Sequence, residues 1–202
     1  MLVKDARKFG KISKGNTKMV GTTFAIDAFA CKRGSKLRKI PGTPCHSCYA
    51  IKLQKLRPSV DQGWKANLAA WEQSTPEQWS QAMAFQILRY NTDGFHRWFD
   101  AGDLQSPEMF EAIVQVCRMT PKIKHWLPTQ ESKFIHDDIP DNLTVRLSAS
   151  KIDGKAPKFA TTSSVTYDKP SATCPAQHQN NNCGDCRACW SRDVAHVSYP
   201  KH

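Results

Sequence analysis

The apolar positions of this chain follow two alternating rhythms, and the alternation predicts the architecture. "GTTFAIDAFA" (21–30) is apolar and rich in β-branched and aromatic residues, which marks a first strand. A basic loop, "CKRGSKLRKIPGTP", leads into "CHSCYAIKLQKLR", which reads as a helix until Pro58 stops it. Val60, Trp64, Leu68 and Trp71 then recur at helical spacing, with Ser59 and Gln62 expected to form a capping box. Thr75, Pro76 and Gln78 open another helix in the same way. Its stripe is Trp79, Met83, Ile87 and Tyr90, and "NTDG" (91–94) closes it. "FHRWFDAGD" (95–103) predicts a strand running into a loop. Ser106 and Pro107 begin a helix whose face is Phe110, Ile113, Val114 and Cys117. "KIKHWLPT" (122–129), "LTVRLSAS" (143–150), "ATTSSVTY" (160–167) and "VAHVSY" (194–199) complete the strands, with "ESKFIHDD" a short helix after the first of these.

Strands alternating with helices through short connections are the signature of βαβ units and a parallel sheet. Right-handed crossovers close such a sheet into a barrel or leave it open. Five or six strands are too few for a complete eight-stranded barrel, which typically needs about 250 residues. The expectation is one α/β domain, either a partial (β/α) barrel or an open, mostly parallel sheet. Its site should lie on the loops at the C-terminal strand ends. Residues 1–20 are expected to form a basic N-terminal arm, and 21–202 the domain, with a cysteine-rich metal loop at 171–190.

Charge refines this picture. Residues 1–57 hold 14 Lys or Arg against Asp5 and Asp27, whereas 58–202 hold 15 basic and 16 acidic residues. The excess of positive charge is therefore confined to the first quarter of the chain. This suits either a solvated basic arm that aids solubility or contact of residues 1–57 with nucleic acid or another polyanion. No apolar run is long enough for a membrane span, and the basic N-terminus lacks the apolar core of a secretory signal. A reducing cytoplasm is the expected compartment, where clustered cysteines bind metal or do redox chemistry more often than they form disulfides.

Eight cysteines then carry the chemistry. Cys117 shares a helical face with Phe110, Ile113 and Val114, and reads as core. Cys183, Cys186 and Cys189 run C-x2-C-x2-C, with Cys174 and Pro175 upstream. Four-cysteine zinc sites usually come from two separate C-x2-C pairs. A consecutive run of three with one distant cysteine fits a [4Fe–4S] cluster better, with zinc as the alternative. Cys45 and Cys48 form a second C-x2-C entering a helix, which suits a zinc knuckle, a redox pair or part of a cluster site. Cys31, after the first strand, suggests a third ligand, and His46 is a conceivable fourth.

The order Cys31, "CHSCYA", "FDAGD", "PTQES" and "CP…CGDCRACW" resembles a family of phage- and prophage-encoded gene products from about residue 20 onward. It is also similar in architecture to radical S-adenosylmethionine enzymes. That likeness implies a partial barrel with a cluster on Cys31, Cys45 and Cys48. It implies Gly102 and Asp103 against the cofactor, and an auxiliary cluster on Cys174, Cys183, Cys186 and Cys189. Those enzymes space their first three cysteines C-x3-C-x2-C, whereas Cys31 and Cys45 are 14 positions apart. Their Gly-Gly-Glu motif corresponds here to Ala101-Gly102-Asp103.

Other polar groups read more simply. Asp103 or Ser106 suits the cap of the following helix as well as a loop site. Thr129, Gln130 and Glu131 end the next strand. Arg146 and Ser148 alternate with Val145 and Leu147, so they face the opposite side of their strand. His96, His125 and His136 share no ligand spacing and read as satisfied or surface histidines. Walker, zincin, dinucleotide and nucleophile-elbow motifs are absent. Two functions follow: a phage iron–sulfur protein with one or two clusters in redox or radical chemistry, or a non-catalytic nucleic-acid-binding protein whose cluster or zinc is structural.

Overall fold

The computed structural model describes residues 1–201. Six strands pair in chain order: β1 Thr22–Thr23, β2 Phe95–Arg97, β3 Lys124–Thr129, β4 Leu143–Ser148, β5 Thr162–Thr166 and β6 His196–Pro200. Every pairing is parallel. The sheet twists and curls into half a barrel, as the alternation of strands and helices predicts. The helices are α1 Val3–Ala6, α2 Lys32–Leu37, α3 Tyr49–Leu56, α4 Pro58–Glu72, α5 Pro76–Tyr90 and α6 Pro107–Met119. No helix among the described residues is long and apolar enough to cross a membrane.

One face of the sheet builds the main core with α4, α5 and α6. Phe24, Trp98, Leu127 and Val145 from the sheet meet Trp79, Met83, Phe110 and Ile113 from the helices. Trp79 stands edge-on to Phe24 at 5.6 Å and to Trp71 at 5.2 Å. Cys117 is fully buried here as a small hydrophobe. The other face carries Phe95, Trp126 and Tyr199, and Trp190 of the cysteine-rich segment packs on them.

Local chemistry explains the helix starts. Thr75 Oγ1 accepts from Gln78 N at 3.2 Å and Gln78 Oε1 from Thr75 N at 3.4 Å, so the expected capping box forms. Ser106 caps α6 by accepting from Met109 N at 3.3 Å. The box expected at Ser59 and Gln62 does not form. Helix α4 starts at Pro58, whose fixed φ suits the first helical position, and this moves the cap back to Arg57. The first strand is also shorter than expected. Beyond Thr23 the chain stays extended, with Phe24 N on Arg97 O and Ile26 N on Ala101 O. Asp27 then ends it by accepting from Phe29 N at 2.9 Å, which begins a short 3-10 turn. Cys31 follows that turn and caps α2, a helix inside the stretch expected to be a loop.

The basic N-terminal segment packs onto the domain. Ala6 is fully buried, and Gln86 Nε2 donates to the carbonyls of Gly10 and Ala6 at 3.0 and 3.3 Å. Ser13 pairs antiparallel with Thr23, at 2.8 and 3.0 Å. The physical reason is the edge of the sheet: β1 would otherwise leave a row of backbone groups unpaired.

His96 and His125 lie fully buried on the helix-covered face, with ring centroids 5.4 Å apart. Each contacts a threonine hydroxyl at 2.8 Å, His96 through Thr22 and His125 through Thr120. Burial holds His125 down to about 3, so the fold accepts it only neutral. Its contribution is therefore complete above the unfolded value near 6.5 and is lost as pH falls toward 3. Between pH 6.5 and 5 this one group should account for about 2 kcal/mol of lost stability. Urea denaturation of His125→Phe across that range should show a shallower slope. An unchanged slope would assign the titration to another group.

Candidate metal centres

Seven of the eight cysteines fall into two spatial groups. The first lies at the C-terminal mouth of the sheet. The Pro44–Ser47 turn, capped by Thr43 Oγ1 on His46 N at 3.2 Å, carries Cys45. Cys48 follows as the cap of α3. Gly34, in the first turns of α2, is the floor between two of the thiols. A Cβ there would meet Cys31 Cβ at 2.9 Å, Cys31 Sγ at 3.7 Å and Cys45 Sγ at 3.8 Å. Only glycine leaves that hollow open.

Burial pushes the Cys31 thiol well up, and Asp103, Cys48 and Cys45 push it further. Burial, Cys48 and Asp103 raise Cys45 to about 11. Arg38 opposes both shifts, and Arg33 the second. Burial and the neighbouring thiols disfavour the anionic form of Cys31 and Cys45, the guanidinium groups offset part of this, and a bound cation would favour the thiolates further.

Asp103 sits at this mouth, almost fully buried. Its Oδ1 accepts from Thr129 Oγ1 at 2.6 Å and Leu104 N at 2.8 Å, and its Oδ2 from Gln130 N at 2.9 Å. Burial raises it to about 6 against these hydrogen bonds. Asp103 thus clasps the end of β3 to the loop after β2. Buried Glu131 accepts from Arg33 N, which ties the β3 end to the start of α2 two residues beyond Cys31.

The second group lies on the face away from the long helices. Cys174 N donates to Ser198 O of β6 at 3.0 Å, and Cys183 N to Lys18 O at 2.7 Å. Cys174 raises both Cys183 and Cys189, so it lies within electrostatic reach of two of the run. Cys186 faces Cys183 and its N–H donates to Cys183 O at 3.0 Å. Cys189 Sγ meets Tyr199 Oη at 3.2 Å, and burial raises the thiol to about 11.

Arg146 fastens this segment to the sheet. It has no exposed surface. Its Nε donates to Cys189 O at 3.1 Å and its Nη1 to Thr162 O at 3.2 Å. Nη2 reaches the carbonyls of Ala188, Ser191 and Val194 at 2.6, 2.8 and 2.9 Å. The groups that favour its positive charge are Tyr199 and Cys189, not a carboxylate. Arg97 lies between the two cysteine groups. It pairs with Asp100 at 3.1 Å on the mouth side and stacks over Trp126 at 4.6 Å, and it faces Tyr199 and Cys189 on the other side.

Among the described residues, no three His, Cys, Asp or Glu side chains stand close enough to hold a metal ion as placed. Comparison with family models gives one match, to Gene product 88, over residues 6–192. The chain belongs to the Gene product 88 family. This is a family of phage gene products, in line with the resemblance carried by the cysteine motifs. No curated protein and no solved structure matches the chain. The Gene product 88 match begins at residue 6, not near residue 20, so the basic segment belongs to the family's pattern. The same match spans both cysteine groups and ends just beyond Trp190.

Gly102, expected against a cofactor, has a steric task. Its φ is +83°, and a Cβ would meet Ile26 Cγ1 at 2.3 Å and Ile26 O at 3.0 Å. Gly102→Ala should cost about 2 kcal/mol, from the disfavoured backbone and a forced shift of Ile26. Chemical denaturation measures it directly, and a loss under about 0.5 kcal/mol, ordinary for a surface change, would refute the steric account. Sequence reasoning did not identify Arg146, Arg97 and Tyr199 as the supports of the C-terminal group. Only the position of Arg146 within an alternating strand hinted at it.

Proposed function

We propose that the chain is an iron–sulfur protein, with one cluster on Cys174, Cys183, Cys186 and Cys189 and a second on Cys31, Cys45 and Cys48. The observation that carries this reading is the sorting of seven cysteines from distant parts of the chain into two groups, while the eighth fills the core. A single zinc ion needs four sulfurs drawn tightly around it. A cubane takes its thiolates from a consecutive C-x2-C-x2-C run with one distant cysteine, the pattern of Cys183, Cys186, Cys189 and Cys174. Buried Arg146 adds support, because an anionic cluster beside Cys189 would balance a cation that lacks a carboxylate.

The mouth group offers three thiols, and a cluster there would keep one iron open for redox or radical chemistry, with S-adenosylmethionine as the expected ligand. The chain's own residues would bind and orient it. Gly34 keeps room above the helix, Arg33 and Arg38 offset thiolate charge, and Asp103 fixes the loops of β2 and β3 around the mouth.

Anaerobic purification with iron and acid-labile sulfide quantitation tests the reading. Equal iron and sulfide, about eight of each per chain, is the expected result, and about four of each would remove one of the two clusters. Zinc without sulfide, or no metal at all, would overturn it. S-adenosylmethionine cleavage on reduction is the separate test for the mouth.

A further inference from the structure

The basic segment that packs on the domain also forms one wall of a cleft. This cleft, of about 440 Å³, lies between the N-terminal segment and α4. Its volume falls within the roughly 300–1,000 Å³ of ligand-sized sites. Arg7, Lys8 and Lys11 line one side and Trp64 the other. Trp64, partly buried, packs on the cluster of Ala25, Ala28, Ala50, Ile51 and Ala101 and also lines the cleft.

The charge here is available. Among the described residues Lys8 pairs with Asp5 alone, in an exposed contact of 2.9 Å that a phosphate could replace at little cost. Arg7 Nη2 donates to Tyr90 Oη at 3.1 Å, and Arg7 and Lys14 lie over the Tyr90 ring at 5.8 and 4.8 Å, exposed contacts that leave the other guanidinium donors for a phosphate. The acid in the lining, Asp100, is held by Arg97 at 3.1 Å. A row of cations facing an aromatic ring is the arrangement that recognises a phosphate chain carrying unstacked bases. A duplex keeps its bases stacked and out of reach of Trp64.

We infer that this cleft binds single-stranded nucleic acid, with phosphates on Arg7, Lys8 and Lys11 and a base against Trp64. The inference is independent of the metal centres. It also narrows the whole basic quarter of the chain to four side chains, one of them outside that quarter.

Fluorescence anisotropy with a labelled oligothymidylate of about 12 nucleotides tests it, on full-length protein. Three contacts give a log–log salt slope of about −2, so affinity should fall about 20-fold between about 50 and 200 mM salt. Trp64→Leu should weaken binding about tenfold and leave the slope unchanged. Lys8→Gln with Lys11→Gln, both exposed, should make the slope shallower by about 1.4. Lys36→Gln with Lys39→Gln, basic positions outside the lining, should change little. Three results would each overturn the inference: no binding at low salt, full affinity in Trp64→Leu, or an equal loss in the Lys36 and Lys39 pair. Thymidine monophosphate competing as well as the oligonucleotide would overturn the strand and leave a nucleotide site.

Discussion

Cys186→Ser is expected to lose the proposed C-terminal cluster and to lower the melting temperature by about 5–10 °C. Ligation contributes to folding wherever the unfolded chain cannot preform the site. For a chain of this size, each kcal/mol moves the midpoint by about 2–4 °C. The segment from Cys174 to Trp190 holds two short 3-10 turns, and Arg146 on its carbonyls, Trp190 on the sheet and backbone contacts to Lys18 and Ser198 anchor it, so ligation adds to a fixed but small set of contacts. Iron content should drop by one cluster's worth while the mouth group keeps its own. Cys117→Ser serves as the contrast, because it should leave iron unchanged. Full iron and an unaltered midpoint in Cys186→Ser would remove this cysteine from any metal centre.

Arg146→Met will destabilise the protein by about 3–5 kcal/mol. Replacing a buried ion by a hydrophobe of similar size is often harmless when its charged partner leaves with it. Here the partners are five backbone carbonyls, which cannot leave. Each loses a charge-assisted donor, and an unmet buried acceptor costs about 1–3 kcal/mol. That sum outweighs the relief from desolvating a guanidinium. Arg146→Lys should recover little, since an ammonium lacks the planar fork that reaches five acceptors. A double-mutant cycle with Cys189→Ser measures the coupling between cation and thiolate. A parent-like urea midpoint for Arg146→Met would show that the carbonyls find other donors.

The two sets of expectations met different fates for physical reasons. Periodicity carried the fold: the stripes of α5 and α6 and the alternating strands are visible because burial on one face leaves a regular trace. The Thr75 and Ser106 caps were legible because their partners lie three residues away. The Ser59 box failed because a neighbouring proline competes for the same turn, and motif matching weighs each position alone. The extended end of the first strand was misjudged because Asp27 turns the chain inside an apolar run. At the site, cysteine spacing indicated the C-terminal set together with Cys174. It could not give the supports, because Arg146 binds carbonyls more than forty positions away, and backbone acceptors leave no mark in a sequence.

The order of strands has a further consequence, in time instead of space. Because β1 to β6 pair in chain order, each strand leaving the ribosome can dock on the one made before it. The mouth cysteines and α2 are synthesised early, while their neighbours Asp103 and Glu131 arrive with the loops after β2 and β3. The C-terminal group is different. Cys174 hangs on Ser198, so its final position exists only once the last strand is in place. The two centres would therefore be completed one after the other. The second would form only after β6 has been made, and a nascent chain stalled before β6 would carry the first alone.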